Sequence, residues 1–266
     1  MCRLLGIASS EPTDFKICLR ESPRSLAALS REHRDGWGIA VFDEDAGWSI
    51  EKGIACAGED ERFHRLAGGS RGDLFVAHVR QKTVGETSLA NTHPFQRGRW
   101  VFAHNGTVKD VAWLRVHTSP ERAAEIRGET DSERLFAWFL TRLDEAGVAH
   151  APANQETDRV IGKATRSARE RPHFGAFNFL LSDGATLYAH RFGRTMHLLE
   201  RGPHDTVRTR RTSHDGTIVE TPWSQRRTAV LIASEKMTHE PWHDMEDGTL
   251  LRVDRSPLPH WRLVAH

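Results

Sequence analysis

The sequence predicts an α+β layered fold, and two observations support this. Short apolar runs bounded by Gly, Asp or Asn, as strands usually are, occur in both the first and the last parts of the 266-residue chain. Segments with helical periodicity lie between these two groups of runs. Strands followed by helices and then by more strands are typical of α+β proteins, in which helices cover antiparallel sheets.

The first half of the chain contains four predicted strands. Their sequences are RLLGIAS, GWGIAVF, DLFVAHV and RWVFAHN. A short helix is predicted at SLAALSREH. The strongest helical pattern is DSERLFAWFLTRLDEAG, whose apolar residues share one broad face. Thr130 and Asp131 are both N-cap candidates for this helix, with Glu133 close behind them.

The second half begins with a predicted helix from Asn154 to Glu170 and then returns to strands. These strands have the sequences AFNFLLS, ATLYAHR, MHLLE, TAVLIAS and TLLRVD. The first two form a predicted hairpin with its turn at Asp183-Gly184. The polar segment from Gly202 to Arg227 is predicted to be a surface excursion, and the strands after it continue the same sheets.

Composition excludes several classes of function. The chain has 37 basic and 36 acidic side chains, a formal net charge of +1, which does not indicate a nucleic-acid or anionic-membrane partner. No apolar run approaches the ~20 residues of a membrane-spanning helix, and the N-terminus lacks the features of a signal peptide. Cys2, Cys18 and Cys56 form neither an even disulfide framework nor a CxxC pair. We therefore expect a reduced, cytoplasmic protein.

Cys2 is the most informative single residue. If Met1 is removed, Cys2 carries a thiol and a free α-amine on the same carbon, a compact pair of nucleophile and base. The amine, with an ordinary pKa of ~7.7–8.0, can accept a proton near neutral pH and return it to a leaving group. The alternative is that Cys2 only begins a buried strand as a small apolar residue.

Four further features have functional or structural interpretations. Arg80, at a strand end, suits bidentate capture of a carboxylate, although a lone arginine is more often in a surface salt bridge. Asn105-Gly106 is either a hairpin turn or a pair of donors for an oxyanion. Asp131 is either the helix N-cap or a carboxylate for an ammonium group. Gly36 and Gly38 permit a close backbone approach or a bulge around Trp37.

The segment from His239 to His243 matches the zinc-protease pattern H-E-x-x-H, but we do not expect it to bind zinc. The pattern works only on a helix, and Pro241 interrupts a helix at its centre. The other histidines show no ligand spacing, so no metal and no cofactor are predicted.

Five segments in this order resemble the class II glutamine amidotransferases, which are N-terminal-nucleophile hydrolases. These segments are MCRLLGI, HRDGWGIAVF, HVRQKTVGETSLANTHPF, WVFAHNGTV and GETDSERLFAWFL. The resemblance covers nearly the whole chain and is strongest to the stand-alone type-4 branch, which includes a γ-glutamyl amidohydrolase of ergothioneine biosynthesis. It implies one domain over residues 1–266, with the catalytic strands and loops mostly within 2–140. The implied fold is a four-layer αββα sandwich of two antiparallel sheets.

The resemblance also assigns roles to residues. Cys2 would be the nucleophile with its own α-amine as base, and Asn105 and Gly106 would form the oxyanion hole. Arg80 would hold the α-carboxylate of glutamine and Asp131 its α-ammonium. The residues implied to line the pocket are Thr83, Val84, Gly85 and the loop His93-Pro94-Phe95. Synthase-coupled relatives commonly have Trp and His where this chain has Gln81 and Val84.

The expected function is hydrolysis of the side-chain amide of glutamine or of a γ-glutamyl conjugate, through a γ-glutamyl thioester and without metal. A small molecule is therefore the expected partner, and self-association is left open. Only SPLPHWRLVAH follows the last predicted strand, so we expect no covalently attached synthase domain. Two alternatives remain: a glutaminase subunit that supplies ammonia to a separate synthase, and a non-catalytic glutamine-binding protein.

Overall fold

The computed structural model describes residues 2–13, 16–202, 211–212, 218–219 and 227–265. Two large antiparallel sheets form its centre, and strands are numbered here in chain order. Across the first sheet the strands are β13 (His243–Asp244), β9 (His197–Arg201), β12 (Ala229–Ala233), β1 (Arg3–Thr13), β4 (Gly72–Val79), β2 (Trp37–Asp43) and β3 (Gly47–Gly53). A separate short pair consists of β10 (Arg211–Thr212) and β11 (Ile218–Val219).

The second sheet has six strands and carries the longest helices on its outer face. Across it the strands are β15 (His260–Leu263), β14 (Leu250–Asp254), β8 (Thr186–His190), β7 (Gly175–Ser182), β6 (Trp100–Val108) and β5 (Phe95–Arg97). The helices are α1 (Leu26–Leu29), α2 (Glu61–Gly69), α3 (Val111–His117), α4 (Pro120–Ala124), α5 (Asp131–Glu145) and α6 (Gln155–Arg169). Single turns of π-helix and 3₁₀-helix cover Ile17–Glu21 and Ala57–Glu59.

Three apolar layers hold these elements together. The central layer lies between the sheets and contains Leu4, Val76, Val101 and Leu180 among others. A second layer packs α5 and α6 on the second sheet; there the rings of Phe102 and Phe136 are stacked with centroids 5.2 Å apart. The third layer packs the first sheet against α1 and α2. This order of helices, sheet, sheet and helices confirms the predicted four-layer α+β sandwich.

The helix starts are explained by local side-chain chemistry. Thr130 is the N-cap of α5, and its hydroxyl accepts a hydrogen bond from the backbone N–H of Glu133 at 3.2 Å. Asn154 caps α6 in a reciprocal capping box with Thr157. Such caps satisfy backbone donors that a helix leaves without internal partners.

Most predicted strands are confirmed, and the hairpin at Asp183-Gly184 joins β7 to β8 as expected. The sequence did not predict β3, β5, β13 and β15, which are the edge strands of the two sheets and have weak apolar patterns. The helix predicted over SLAALSREH is shorter, ending at Leu29. The surface excursion predicted from Gly202 to Arg227 lies mostly outside the described residues.

Gly38 lies where the backbone of the segment before β5 passes close to β2. A Cβ atom on Gly38 would lie 2.1 Å from the carbonyl oxygen of His93 and 2.8 Å from Cδ of Pro94. The chain therefore needs a glycine in the middle of β2 so that the segment leading into β5 can cross it. This is the close backbone approach that the glycine pattern predicted.

We expect Gly38→Ala to lower the free energy of unfolding by about 1–3 kcal/mol, because the added methyl group overlaps backbone that cannot move freely. In a domain of this size each kcal/mol lowers Tm by about 2–4 °C. Gly69→Ala is the matched control, because a Cβ there meets nothing within 4 Å at the end of α2. Thermal unfolding followed by circular dichroism should separate the two variants; equal Tm values would contradict the close approach.

Candidate active site

The pairing of β1 with β4 places Cys2 beside the end of β4. Arg3 is directly opposite Val79 in this antiparallel pair, so Cys2 lies next to Arg80 and Gln81. The backbone N–H of Gln81 donates a hydrogen bond to Cys2 Sγ at 3.3 Å. Leu4, two residues further on, belongs to the layer between the sheets, and period-two alternation puts Cys2 on the same inner face.

The electrostatic environment of the thiol contains opposing contributions. Burial raises the pKa of the Cys2 thiol above its ordinary value, because a thiolate loses solvation there. The hydrogen bond from Gln81 and the positive charge of Arg80 act in the opposite direction, but they do not outweigh burial. The unliganded thiol therefore stays protonated at neutral pH, and a base is needed to activate it.

Arg80 is 3% exposed and is fixed by the loop that follows it. Its Nη1 donates to the carbonyl of Glu86 at 3.1 Å, and its Nη2 donates to the carbonyl of Val84 at 3.0 Å. Burial lowers the pKa of Arg80, while Cys2 and Asp35 act to raise it. The surface-salt-bridge interpretation of Arg80 is wrong, since the guanidinium is buried and bonded to backbone.

Residues 82–90, which we call the 82–90 loop, surround Arg80. Thr83 and Val84 are exposed, and Gly85 has a φ of +72°, a conformation that favours glycine. The loop is attached at its start, where the backbone N–H of Lys82 donates to a carboxylate oxygen of Asp35 at 2.7 Å. The predicted pocket-lining residues 83–85 therefore form the exposed end of an anchored loop.

Asn105 and Gly106 lie inside β6 and not at a turn, so the hairpin interpretation of this dipeptide is wrong. Asn105 is 4% exposed, and alternation along β6 places it on the inner face with Val101 and Ala103. Its side-chain amide makes no hydrogen bond to the described part of the chain. A Cβ on Gly106 would lie 1.9 Å from the carbonyl of Ala176, which explains the glycine.

Asp131 is the first residue of α5, and the N-cap interpretation of it is wrong because Thr130 has that position. The Oδ2 atom of Asp131 accepts a hydrogen bond from the backbone N–H of Val108, at the end of β6, at 2.6 Å. Asp131 is 5% exposed. The carboxylate is thus held at the same end of β6 as Asn105.

Four histidines are buried around these residues. His93 is 3% exposed and its ring lies 4.3 Å from that of His78, measured between centroids. Neither ring nitrogen of His93 has a hydrogen-bond partner within the residues that the structure describes. Burial lowers the pKa of His78 to about 3 and that of His33 to about 4, and it lowers the pKa of His93 and His104 as well. His93 packs between the rings of His78 and Phe95, and its contact with a substrate remains a prediction.

Sequence reasoning missed two residues that join the halves of this site. Asn91 Oδ1 accepts a hydrogen bond from the backbone N–H of Glu129 at 2.8 Å, and Glu129 directly precedes the N-cap of α5. The 82–90 loop and the start of α5 are therefore in direct contact. The sequence contains one indication of this contact, because an asparagine at the end of a polar loop, such as Asn91, often bonds to backbone.

The H-E-x-x-H segment does not form the helix that zinc proteases need. His239 and Glu240 lie in a bend, the N–H of Trp242 bonds back to the carbonyl of Glu240, and His243 begins β13. Glu240 accepts two hydrogen bonds from Arg201, at 2.7 and 2.6 Å. Within the described ranges, no group of three or more His, Cys, Asp or Glu side chains is arranged to hold a metal ion. In the same ranges, no helix has the length and apolar character required to cross a bilayer.

Comparison with known proteins agrees with the fold and the order of the motifs. Residues 1–259 match the family model described as "Glutamine amidotransferases class-II". Over 270 residues the chain is 31% identical to YafJ of Escherichia coli (strain K12), covering 93% of this chain and 95% of YafJ. It is 30% identical over 212 residues to the γ-glutamyl-hercynylcysteine sulfoxide hydrolase of Mycobacterium tuberculosis (strain CDC 1551 / Oshkosh), covering 76% and 81% of the two chains.

The fold also matches the glutamine phosphoribosylpyrophosphate amidotransferase of B. subtilis, with a TM-score of 0.62 and 16% identity. That match covers 99% of this chain and 49% of the other. The protein therefore belongs to the class II glutamine amidotransferase family, whose enzymes are of the N-terminal-nucleophile hydrolase type. The family resemblance inferred from the five motifs is confirmed.

The buried histidines predict a loss of stability in acid. Each has a folded-state pKa below the ~6.5 of an unfolded chain, so the unfolded state binds more protons as the pH falls below about 6.5. Each such histidine then lowers the free energy of unfolding by ~1.4 kcal/mol per pH unit, until its folded-state pKa is reached.

We expect His93→Phe to remove one such contribution, because a phenyl ring keeps the packing and cannot be protonated. Urea unfolding between pH 7 and pH 5 should show a shallower decline for this variant than for the native protein. Replacement of the exposed His150 by Gln is the control and should leave the slope unchanged. Parallel declines for native and His93→Phe proteins would show that His93 is not buried in its neutral form.

Proposed function

We propose that this protein hydrolyses the side-chain amide of a γ-glutamyl compound, with Cys2 as nucleophile after removal of Met1. The observation that carries the proposal is the hydrogen bond from Gln81 N–H to Cys2 Sγ, next to the buried Arg80. This hydrogen bond holds the sulfur beside the Arg80 cation. The alternation of side chains along β1 and β6 puts Cys2 and Asn105 in the same layer between the sheets.

The proposed reaction uses groups already in these positions. The α-amine of Cys2 takes the thiol proton, and the sulfur attacks the amide carbon to give a tetrahedral oxyanion. The Asn105 amide and the Gly106 N–H would donate to this oxyanion, an interaction typically worth ~10²–10³ in rate. The amine then protonates the departing nitrogen, and the C–N bond breaks to leave a γ-glutamyl thioester. Water, deprotonated by the same amine, hydrolyses the thioester and releases the γ-carboxylate.

Recognition of the glutamyl group would depend on opposite charges. An arginine has five N–H donors, and Arg80 uses two of them on the carbonyls of Val84 and Glu86, which leaves donors for an α-carboxylate. The second oxygen of Asp131 would receive the α-ammonium, since its Oδ2 is engaged by Val108. Both side chains are nearly fully buried, which strengthens such charge pairing.

Hydrolysis of a γ-glutamyl conjugate is favoured over ammonia supply. The Mycobacterium tuberculosis relative is named as a hydrolase of a γ-glutamyl compound, and most of each chain aligns. Val84 is exposed at the loop end, where it would leave room beside the scissile amide for a group larger than ammonia. A glutaminase that serves a separate synthase is the second candidate, because the phosphoribosylpyrophosphate amidotransferase of the same fold carries such a domain within a longer chain. A cytoplasmic location remains a prediction.

We expect activity to require a free α-amine on Cys2. Intact mass should show the loss of Met1, and Cys2→Ala should abolish turnover. A variant with an uncleavable N-terminal extension keeps the thiol but lacks the base, so its kcat should fall by at least about 10²-fold. Cys56→Ala is the matched control, since Cys56 is a free buried thiol away from the site. Normal hydrolysis by the extended protein would disprove the α-amine mechanism.

A kinetic panel tests the substrate class. We expect kcat/KM to be higher for some γ-glutamyl amides of larger amines than for free glutamine, because the nitrogen substituent adds contacts beside Val84. Compounds with a blocked α-carboxylate should be rejected, since Arg80 would lose its partner. Release of glutamate, followed by mass spectrometry, gives the rates. If glutamine has the highest kcat/KM, or if an added synthase strongly stimulates activity, the ammonia-supply role replaces this one.

A further inference from the structure

Asn91 is a buried junction between the 82–90 loop and the start of α5. It is 2% exposed, and its Nδ2 donates to the carbonyl of Glu86 at 3.0 Å and to Oε2 of Glu129 at 3.3 Å. Its Oδ1 accepts from the backbone N–H of Glu129 at 2.8 Å. Three of the four hydrogen bonds that an asparagine amide can make are thus formed with two residues.

This junction holds both the backbone N–H and the backbone carbonyl of Glu86. Its N–H donates to Oε2 of Glu129 at 3.1 Å, while its carbonyl accepts from both Asn91 and Arg80. A carbonyl fixed in this way determines where Nη1 of Arg80 lies. The direction of the Arg80 guanidinium plane therefore depends on Asn91, although these two side chains do not touch.

The junction also orients the other charged group of the site. Glu129 is followed by the N-cap Thr130 and then by Asp131, whose carboxylate is fixed on β6. Arg80 and Asp131 are proposed to bind the α-carboxylate and the α-ammonium of the substrate. These two residues are thus connected through Asn91 and Glu129. Other hydrogen bonds attach the 82–90 loop near its two ends, at Lys82 through Asp35 and at Ser88 through Thr92, whereas Asn91 and Glu129 hold its middle at Glu86.

We propose that Asn91 is a positioning residue: together with Glu129 it holds the 82–90 loop so that Arg80 and Asp131 are correctly spaced for an α-amino acid group. This inference rests on the proposed function. It predicts that loss of Asn91 weakens recognition of the glutamyl group and leaves the chemistry of Cys2 intact.

Two alkylating probes separate these effects. The diazoketone analogue of glutamine, 6-diazo-5-oxo-L-norleucine, carries the α-amino acid group; Cys2 would displace nitrogen from it and form a stable thioether. Iodoacetamide alkylates the same thiol but has no α-carboxylate or α-ammonium. Peptide mass mapping assigns each adduct to Cys2, and rates measured over a range of probe concentrations give KI and kinact for the diazoketone.

For Asn91→Ala we expect KI for the diazoketone to rise at least about tenfold, the equivalent of a buried hydrogen bond to a charged group. The maximum inactivation rate and the rate with iodoacetamide should stay within about twofold of the native values. Glu129→Ala, at an exposed residue, should raise KI by roughly threefold. Asn154→Ala is the control for lost stability, since it removes the cap of α6 and should lower Tm without changing KI.

A charge exchange tests the contact itself. Asn91→Asp places two carboxylates face to face and should raise KI more than Asn91→Ala does. Adding Glu129→Gln removes this repulsion, so KI should return to about the Asn91→Ala value, because the hydrogen bond to the Glu86 carbonyl stays absent.

The outcomes are distinguishable. An unchanged KI in Asn91→Ala, an equal loss of reaction with both probes, or no recovery in the exchanged pair would each overturn the positioning role. If the native protein reacts with iodoacetamide but never with the diazoketone, the proposed function itself fails.

Discussion

The antiparallel pairing of β1 with β4 is the constraint on which the site depends. It fixes Arg3 opposite Val79, and the chain start therefore lies against the first residues after β4. A shift of one residue would turn Cys2 away from the layer between the sheets and break its hydrogen bond with Gln81. The register is maintained by the buried apolar residues that alternate along both strands, so the hydrophobic core and the position of Cys2, the proposed nucleophile, have one common cause.

The second sheet contributes its groups through β6. Phe102 and His104 face α5, and Val101, Ala103 and Asn105 face the first sheet. One face of β6 thus packs against α5, and its other face presents the Asn105 amide to the layer between the sheets. Because Asp131 begins α5 and bonds to the end of β6, the helix start and the strand end are set together. Neither group requires a flexible loop to reach its place, which is the arrangement that a preorganised site needs.

The sequence predicted the central strands, the two long helices and the order of the site motifs, because these rest on strong local patterns. Asn105-Gly106 shows where local signals are insufficient: its dipeptide favours a turn, and only its neighbours in β7 show that it is inside a strand. Thr130 and Asp131 are both cap candidates in the sequence, and they differ only in their contacts: Thr130 accepts from the N–H of Glu133, whereas Asp131 accepts from Val108. The junction of Asn91 and Glu129 joins residues 38 positions apart, and no periodicity or motif spacing reports such a pair.

The raised pKa of the Cys2 thiol shows that its surroundings do not maintain a standing thiolate. Enzymes that keep a standing thiolate surround it with charges that lower its pKa. Here burial prevails over Arg80 and the Gln81 N–H, so the resting sulfur is neutral. A neutral thiol does not compete with an incoming α-carboxylate for the positive charge of Arg80. In the proposed reaction, proton transfer to the α-amine of Cys2 would produce the anion only as the sulfur attacks, and Asn105 would receive the charge that moves onto the oxygen.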